Sequence, residues 1–238
     1  MPTKAVLFDM FDTLFMIRKN QEFYSPSLMR MYRYLTKNGL EVSFDVFEKA
    51  YIKARDELYA KAEVNLEEPH FNVRVSDTLK SLGYNQDVSS PIVAAATAEF
   101  CEEFMTFVYL DESTEELLRI LHEKYKLGII SNFAIPECVD KLLKIHGLDQ
   151  MFDSVMVSGA INKRKPSPEI FQRSLKELDV SASETVFVGD TLDADIEGAK
   201  AVGIRAVYIQ RRIEKAEQVS PDHTIQRLRD LPQLLDSF

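Results

Sequence analysis

The chain has 238 residues, a net charge of −9 and 45% hydrophobic residues. This length suffices for one domain or for a core with an inserted domain. The acidic balance disfavours nucleic acid and anionic membranes as partners. The sequence has no apolar run of the roughly 18 residues that cross a bilayer, and two aspartates interrupt its apolar start, unlike in a signal peptide. We therefore expect a cytoplasmic protein in which Cys101 and Cys138 are reduced and buried as small apolar residues.

The first half of the sequence predicts one buried strand followed by a long helical insertion. Residues 5–8 form a short apolar run, which is typical of a buried parallel strand. After Phe15 the apolar residues follow helical spacing for about ninety residues. Helices are predicted over residues 27–37, from an N-cap at Ser43, and over residues 73–82 and 92–107. No strand is predicted in this segment.

The second half alternates between strands and helices. Ser113 and Glu116 form a predicted capping box, Pro136 a predicted first helical position, and Ser167 a predicted N-cap. The predicted strands cover residues 127–130, 154–157, 185–188 and 204–209, and a further helix covers residues 196–202. Such alternation predicts a parallel sheet with crossover helices. We therefore expect a doubly wound α/β core, residues 1–16 and 109–238, with an all-helical domain inserted at residues 17–108.

Four polar side chains are placed where such a sheet binds ligands. Asp9, Ser131 and Asp190 each follow a predicted strand, and Lys165 precedes the helix that begins after Ser167. Ligands of open α/β sheets bind beyond the carboxyl ends of the strands. A carboxylate can act as a nucleophile, and two carboxylates in one crevice repel each other unless a cation such as Mg²⁺ lies between them. Ser131 and Lys165 are suited to bind phosphoryl oxygens.

The segments around these residues resemble the four motifs of the haloacid dehalogenase-like superfamily, in the same order. They read VLFDMFDTLF, GIISN, KRKPSPEIF and VFVGDTLDADIEGAKAVG. The resemblance implies a Rossmann-like core, with the insertion as a helical cap. It implies Asp9, Ser131 and Lys165 as catalytic residues, Asn132 as a substrate-binding residue, and Mg²⁺ as the cofactor. The substrate would be a small anionic molecule.

The first motif departs from the pattern of the family's phosphatases at Phe11. Those enzymes carry a second aspartate there, which acts as general acid and base. The resemblance still implies that the backbone oxygen of Phe11 binds Mg²⁺ together with Asp9 and Asp190. The neighbouring Asp12 is interpreted as a turn residue, because adjacent side chains of an extended segment point in opposite directions.

Several further polar residues have both a functional and a structural interpretation. In the fourth motif Asp195 is preferred over Asp193 as the residue that holds a metal-bound water. His70 is a candidate for a substrate contact. Arg30 and Arg33 are candidates for binding a substrate carboxylate, although solvated arginines are commoner. Lys163 and Arg164 are interpreted as solvated.

Three functions are compatible with these residues. The favoured one is a Mg²⁺-dependent phosphatase of a small phosphorylated metabolite, because Asp190 is present. The alternative is a metal-independent 2-haloacid dehalogenase, because Phe11 resembles the aromatic residue of those enzymes. The third is a non-enzymatic binding protein, which the retained nucleophile, lysine and metal acid argue against. The sequence leaves the substrate and the oligomeric state open.

Overall fold

The computed structural model describes residues 2–18, 22–211 and 219–238 of the chain. Within these residues the strands form a six-stranded sheet and a two-stranded sheet. The strands are β1 (Ala5–Phe8), β2 (Phe15–Ile17), β3 (Val108–Leu110), β4 (Lys126–Ser131), β5 (Ser154–Val157), β6 (Thr185–Gly189), β7 (Arg205–Ile209) and β8 (His223–Ile225). The α-helices are α1 (Tyr24–Lys37), α2 (Phe44–Asn65), α3 (Phe71–Ser81), α4 (Pro91–Met105), α5 (Thr114–His122), α6 (Pro136–Ile145), α7 (Ser158–Ile161), α8 (Pro168–Leu178), α9 (Glu197–Ala201) and α10 (Leu231–Leu235).

The six-stranded sheet is parallel throughout and has the order β5-β4-β1-β6-β7-β8. β1 lies near its middle, and the strands that follow it in the chain are added first on one side and then on the other. Residues of β1 alternate between two apolar clusters, with Val6 and Phe8 in one and Ala5 and Leu7 in the other. The sheet is therefore covered on both faces, as the doubly wound α/β prediction requires. β1 ends at the point where the strand order reverses.

Helices α1 to α4 form the cap, which packs around an aromatic core. Phe47, Tyr51, Phe71 and Phe100 contact one another or their neighbours through ring pairs and are buried. Helix α1 begins earlier than predicted and includes Pro26, which a first helical turn tolerates because its missing N–H would have no helical partner.

The prediction that residues 17–108 contain no strand is wrong at both ends of that segment. β2 includes Ile17 and β3 includes Val108, and the two strands pair antiparallel with Phe15 opposite Leu110. Each strand has three residues, too few for a detectable alternation, and its partner is distant in the sequence. This small sheet connects the cap with the core.

Local hydrogen bonds at the helix starts differ in part from the predictions. Ser167 caps α8 and accepts from the Glu169 N–H, as predicted. The capping box of Ser113 with Glu116 is wrong: Ser113 makes no side-chain cap bond, and its own N–H donates to Asp111 Oδ1 at 3.0 Å. Ser43 occupies the N-cap position of α2 without a side-chain bond.

Near the C-terminal end of the sheet two further differences appear. The predicted helix over residues 196–202 is present as α9, but it is preceded by a π-helical turn, Leu192–Ile196, that the sequence does not predict. The sequence does not predict β8, because two of its three residues are exposed and it lacks an apolar run. Among the described residues no helix combines the length and apolar composition needed to cross a membrane.

Candidate active site

The end of β1 places Asp9 against Lys165 in the interior of the protein. The Asp9 N–H donates to the carbonyl of Val188 on β6 at 2.8 Å, which fixes the main chain where β1 ends. Lys165 Nζ lies 2.6 Å from Asp9 Oδ1 and 2.6 Å from Asp195 Oδ1. Asp9 and Lys165 are 7% and 2% exposed. The lysine therefore bridges two buried carboxylates that come from different strand ends.

Asp9, Asp190 and Asp195 form a cluster of buried carboxylates. One oxygen of each lies within 4.8 Å of the others. Lys165 contacts two of these acids, Asp9 and Asp195, so the carboxylates of the cluster lie close to one another and to a positive charge. Carboxylate oxygens are the ligands that Mg²⁺ prefers, and the spacing of these three acids fits a divalent cation. Asp193 is exposed, so Asp195 is the member of the predicted acidic pair that reaches the site.

Burial and the neighbouring charges change the proton affinity of Asp9 and Lys165. Burial raises the pKa of Asp9 from 3.8 to about 7, with further contributions from Asp195 and Asp190, against the opposing effect of Lys165. Burial acts to lower the pKa of Lys165, but Asp195 and Asp9 outweigh it and hold that pKa above its usual value. Lys165 is consequently an ammonium group. A cation among the carboxylates would keep Asp9 ionised at neutral pH.

The π-helical turn after β6 positions Asp195. The N–H groups of Asp195 and Ile196 donate to the Thr191 carbonyl, and the latter bond spans five residues. Asp195 Oδ2 accepts from the N–H of Thr191 at 3.0 Å and from its hydroxyl at 2.8 Å. A Cβ on Gly189 would lie 2.5 Å from the Asp195 carboxylate. The approach of Asp195 to Lys165 therefore requires a residue without a side chain at position 189.

Ser131 is the last residue of β4 and Asn132 follows it, but their side chains differ in their contacts. Ser131 is fully buried, and its hydroxyl has no hydrogen-bond partner among the described residues. A free hydroxyl beside buried charged groups is a ready donor to a ligand. The Asn132 amide accepts from the Lys165 N–H at 2.7 Å and donates to the Lys165 carbonyl at 3.0 Å. Asn132 therefore holds the main chain that carries the lysine, and its contact with substrate stays a prediction.

Phe11 and Asp12 occupy the turn after β1. The Phe11 ring contacts Phe104 of the cap at 5.6 Å and Phe133 of the core at 4.8 Å between ring centroids. Asp12 has a φ of 58°, and its Oδ1 accepts from the Ile17 N–H at 3.4 Å. The interpretation of Asp12 as a turn residue is therefore confirmed, and the carboxylate is bonded to local backbone.

Three cap residues singled out in the sequence lie elsewhere. His70 caps α3 by accepting from Asn72, and its Nε2 lies 3.0 Å from Glu137 of the core. Arg30 is paired with Glu99 at 2.6 Å. Arg30 and Arg33 line a separate groove formed by α1 and α4, which includes none of the four motif residues. The side chains of His70 and Arg30 therefore bind other residues of the protein rather than a substrate at Asp9.

Sequence reasoning missed Arg74, which lines a cavity of about 260 Å³ together with Asn132 and Phe133. Arg74 lies on α3 and is 7% exposed. The signal is present in the sequence, because Arg74 lies three residues after Phe71 and next to Val75, on the buried side of a predicted amphipathic helix.

Comparison with known proteins supports the family resemblance that the four motifs indicate. The model of the haloacid dehalogenase-like hydrolase family matches residues 3–203. The glyceraldehyde 3-phosphate phosphatase of Methanopyrus kandleri is 30% identical over 236 residues, covering 96% of this chain and 95% of the relative. A HAD phosphatase structure from Thermococcus onnurineus has a TM-score of 0.64 at 26% identity, covering 98% of each chain.

A 2-haloacid dehalogenase structure from Pseudomonas syringae pv. Tomato DC3000 has a TM-score of 0.75 and covers 99% of each chain at 23% identity, which demonstrates a common fold. The parallel sheet, the inserted helical cap and the match to the family model all indicate the same family. This chain belongs to the haloacid dehalogenase-like hydrolase family.

Proposed function

We propose that this hydrolase is a Mg²⁺-dependent phosphatase of a small phosphorylated metabolite, with Asp9 as its nucleophile. The observation that carries the proposal is the cluster of three buried carboxylates, two of which contact the Lys165 ammonium group. Such a cluster suits a divalent cation and a phosphoryl group better than it suits an apolar substrate. The glyceraldehyde 3-phosphate phosphatase of Methanopyrus kandleri aligns over nearly the whole chain, and its name supports the same activity.

The first chemical step is attack of Asp9 on phosphorus. Lys165 holds Asp9 Oδ1, so Oδ2 is the oxygen that forms the new bond to phosphorus. The bond between phosphorus and the ester oxygen breaks, and that oxygen leaves with the electron pair and takes a proton from solvent to become the alcohol. The product is an aspartyl-phosphate on Asp9. In the second step water attacks phosphorus and loses a proton to solvent, the bond to Asp9 breaks with its electron pair returning to the Asp9 carboxylate, and phosphate is released.

Two groups of the chain are placed to bind the transferred phosphoryl oxygens. The Ser131 hydroxyl is a donor without another partner among the described residues, and the Lys165 ammonium offers positive charge. The residues that would hold the metal are Asp9, Asp190 and the backbone oxygen of Phe11, with Asp195 beside them. A Mg²⁺ ion bound there would supply positive charge that offsets the negative charge on the phosphoryl oxygens.

A 2-haloacid dehalogenase is the second candidate, and it rests on Phe11. Halide leaves carbon without a proton, so the absence of an acid at this position would not slow that reaction. Against it stands Asp190, whose buried carboxylate adds a charge that a metal-independent displacement does not need. Dependence on metal separates the two candidates.

The test is a panel of phosphate esters and 2-haloacids, each assayed with Mg²⁺ and with EDTA. We expect ester hydrolysis that requires Mg²⁺ and falls below a few per cent in Asp9→Asn and Asp190→Asn. The exposed Asp193→Asn is the matched control and should keep full activity. Activity on 2-haloacids that is indifferent to EDTA would establish the dehalogenase instead.

A further inference from the structure

The cavity that contains Arg74 adjoins the residues that position Lys165. It has a volume of about 260 Å³ and lies between the cap and the loop that follows β4. Asn132 and Phe133 line it from the core, and Phe71 and Arg74 line it from the cap. Asn132 also holds both main-chain polar groups of Lys165. Asn132 thus links the cavity to the loop that carries the active-site lysine, and a group bound in the cavity contacts the same residue that holds that loop.

Aromatic rings surround the Arg74 guanidinium. Its central carbon lies 5.0 Å from the ring centroid of Phe71, 5.1 Å from that of Tyr59 and 5.8 Å from that of Tyr51. Nη1 donates to the Tyr51 hydroxyl at 3.3 Å. Aromatic faces stabilise a cation, but they leave its in-plane N–H donors available.

Among the described residues, no carboxylate forms an ion pair with Arg74, although buried arginines usually have such a partner. Its Nε is buried without a hydrogen-bond partner, and the described part of the chain contains no ion pair of this residue. Arg211, which is also largely buried, lies 2.8 Å from Asp111. Glu68 lines the same cavity, but its carboxylate accepts from Ser158 and faces Arg164 of the core. A permanently charged guanidinium buried without a counter-ion is costly unless an anion joins it.

Contacts between cap and core fix the position of Arg74. The N–H of Phe71 donates to the carbonyl of Ala134 at 2.8 Å, directly beyond Asn132 and Phe133. His70 pairs with Glu137 at the same end of α3. Arg74 lies less than one helical turn further along, so the guanidinium is held at a defined place relative to the loop after β4.

We propose that Arg74 binds a second oxyanion of the substrate, a carboxylate or a phosphate, remote from the phosphoryl group that is transferred. This proposal rests on the proposed function and narrows its substrate class to small phosphorylated acids. The planar guanidinium matches the two oxygens of an oxyanion. The cavity volume is below the usual range for drug-sized ligands, which limits the substrate to a few carbon atoms.

The test compares esters of equal length in the wild-type protein with Mg²⁺. 3-Phosphoglycerate carries a carboxylate where glycerol 3-phosphate carries a hydroxymethyl group and glyceraldehyde 3-phosphate an aldehyde. We expect kcat/KM for the acid to exceed that for either uncharged analogue by roughly 10- to 100-fold, the usual effect of a charge-assisted hydrogen bond. Arg74→Met should bring the ratio close to one, mainly by raising KM for the acid.

Arg30→Met is the matched control, because Arg30 is a cap arginine that lies outside the cavity and is paired with Glu99. It should leave the ratio unchanged. Arg74→Met should melt no lower than the wild type, since methionine replaces a buried charge with an apolar chain of similar length. If Arg74→Met fails to fold, two other measurements test the proposal. They are the kcat/KM ratio of the wild type and the same ratio in Arg74→Lys, which keeps the positive charge but lacks the planar set of N–H donors.

Calorimetric binding of 3-phosphoglycerate and glycerol 3-phosphate to Asp9→Asn separates the two proposals. If no phosphate ester is hydrolysed but the acid binds more tightly through Arg74, the proposed function fails and the assignment of Arg74 stands. If esters are hydrolysed without preference for the acid, and Arg74→Met changes neither binding nor the ratio, the assignment of Arg74 is overturned alone.

Discussion

Asp9 is buried among other acids, which opposes the ionised state that it needs as a nucleophile. Lys165 relieves this conflict only in part, because it is shared with Asp195. The pKa of Asp9 lies at about 7, well above 3.8, chiefly because of burial. A carboxyl group whose pKa is raised by folding destabilises the folded state as pH rises from about 4, and the whole penalty is present above about pH 7.

We therefore predict that Asp9→Asn stabilises the metal-free protein at high pH. In EDTA at pH 8 its melting temperature should exceed that of the wild type by at least ~2 °C. The difference should shrink as pH falls through 7 toward 4, because Asp9 is then protonated and uncharged. Thermal denaturation between pH 5 and pH 8 measures it, with the exposed Asp193→Asn as control. A difference that does not depend on pH would contradict the shifted pKa.

Position 11 carries phenylalanine instead of the aspartate of the family's phosphatases, so it offers no proton to the leaving group. General acid catalysis typically contributes about 10²- to 10⁴-fold. We predict slow hydrolysis of alkyl phosphates by the wild type and a comparatively faster first step on aryl phosphates, whose leaving groups need no proton. If hydrolysis of the aspartyl-phosphate is limiting, aryl phosphates should give a burst followed by a slow steady state. Stopped-flow detection of nitrophenol released from p-nitrophenyl phosphate measures both phases.

Phe11→Asp should raise alkyl phosphate turnover at least ~10-fold. The new carboxyl would lie beside Phe104 and Phe133, and this apolar setting favours its protonated form, which is the form that donates. Phe11→Asn loses the same ring without gaining a proton, so it serves as control for the lost packing. Equal turnover by both variants would show that the proton comes from another group.

At the scale of an element, the end of β6 and the π-helical turn act together to aim Asp195 at Lys165. Gly189 allows this contact, because any Cβ there would meet the Asp195 carboxylate at 2.5 Å. A π-helical turn inserts one residue into a helix and is frequent at functional sites. Here it also places the Thr191 N–H and hydroxyl on the second oxygen of Asp195.

We predict that Gly189→Ala lowers kcat by at least ~10-fold, because displacement of Asp195 frees Lys165 to move from Asp9. Gly147→Ala is the matched control. Gly147 has a φ of 66°, and a Cβ added to it would have no other atom within 4 Å, so its substitution should reduce stability through backbone strain while activity is kept. Melting temperature and kcat, measured on both variants, separate strain from misplacement. Full activity in Gly189→Ala would refute the role of Gly189.

At the scale of the whole molecule, contacts with helix α6 hold the cap to the core. Glu137 and Lys141 of α6 pair with His70 and Glu102 of the cap. Cys101 of α4 and Cys138 of α6 are neighbours in this interface, and both thiols are buried. The neighbouring Cys101 thiol, together with burial, raises the pKa of Cys138 and makes it a poor nucleophile while the interface is closed.

Thiol labelling therefore measures the opening of the cap. We predict slow reaction of Cys138 with Ellman's reagent in the wild type and a reaction about 2- to 5-fold faster in Glu137→Gln, since an exposed polar contact such as that of Glu137 with His70 contributes up to about 1 kcal/mol. The exposed Glu115→Gln on α5 is the control and should label at the wild-type rate. Identical rates in all three proteins would mean that the contact between Glu137 and His70 does not hold the interface closed.

The sequence by itself determined the order of elements and the position of each motif residue. The apolar run before Asp9, the capped helix after Ser167 and the glycines that end helices are local signals, and each is set by side chains a few residues apart. Parallel strands place their carboxyl ends at one edge, so the proximity of Asp9 and Asp190 followed from the alternation of strands and helices. Asp195 rather than Asp193 is buried beside Lys165, and its role at a metal-bound water stays a prediction.

Only the tertiary structure decided which partner each polar side chain takes. The pairing of β2 with β3, the meeting of Cys101 with Cys138 and the binding of Arg30 by Glu99 all join residues that are distant in the sequence. Arg74 is the clearest case: its sequence neighbours indicate that it is buried, but not that Glu68 in the same cavity is bound to Ser158 instead of to the guanidinium group. Burial and charge balance depend on every element that packs against a residue, so they are properties of the folded chain rather than of its local pattern.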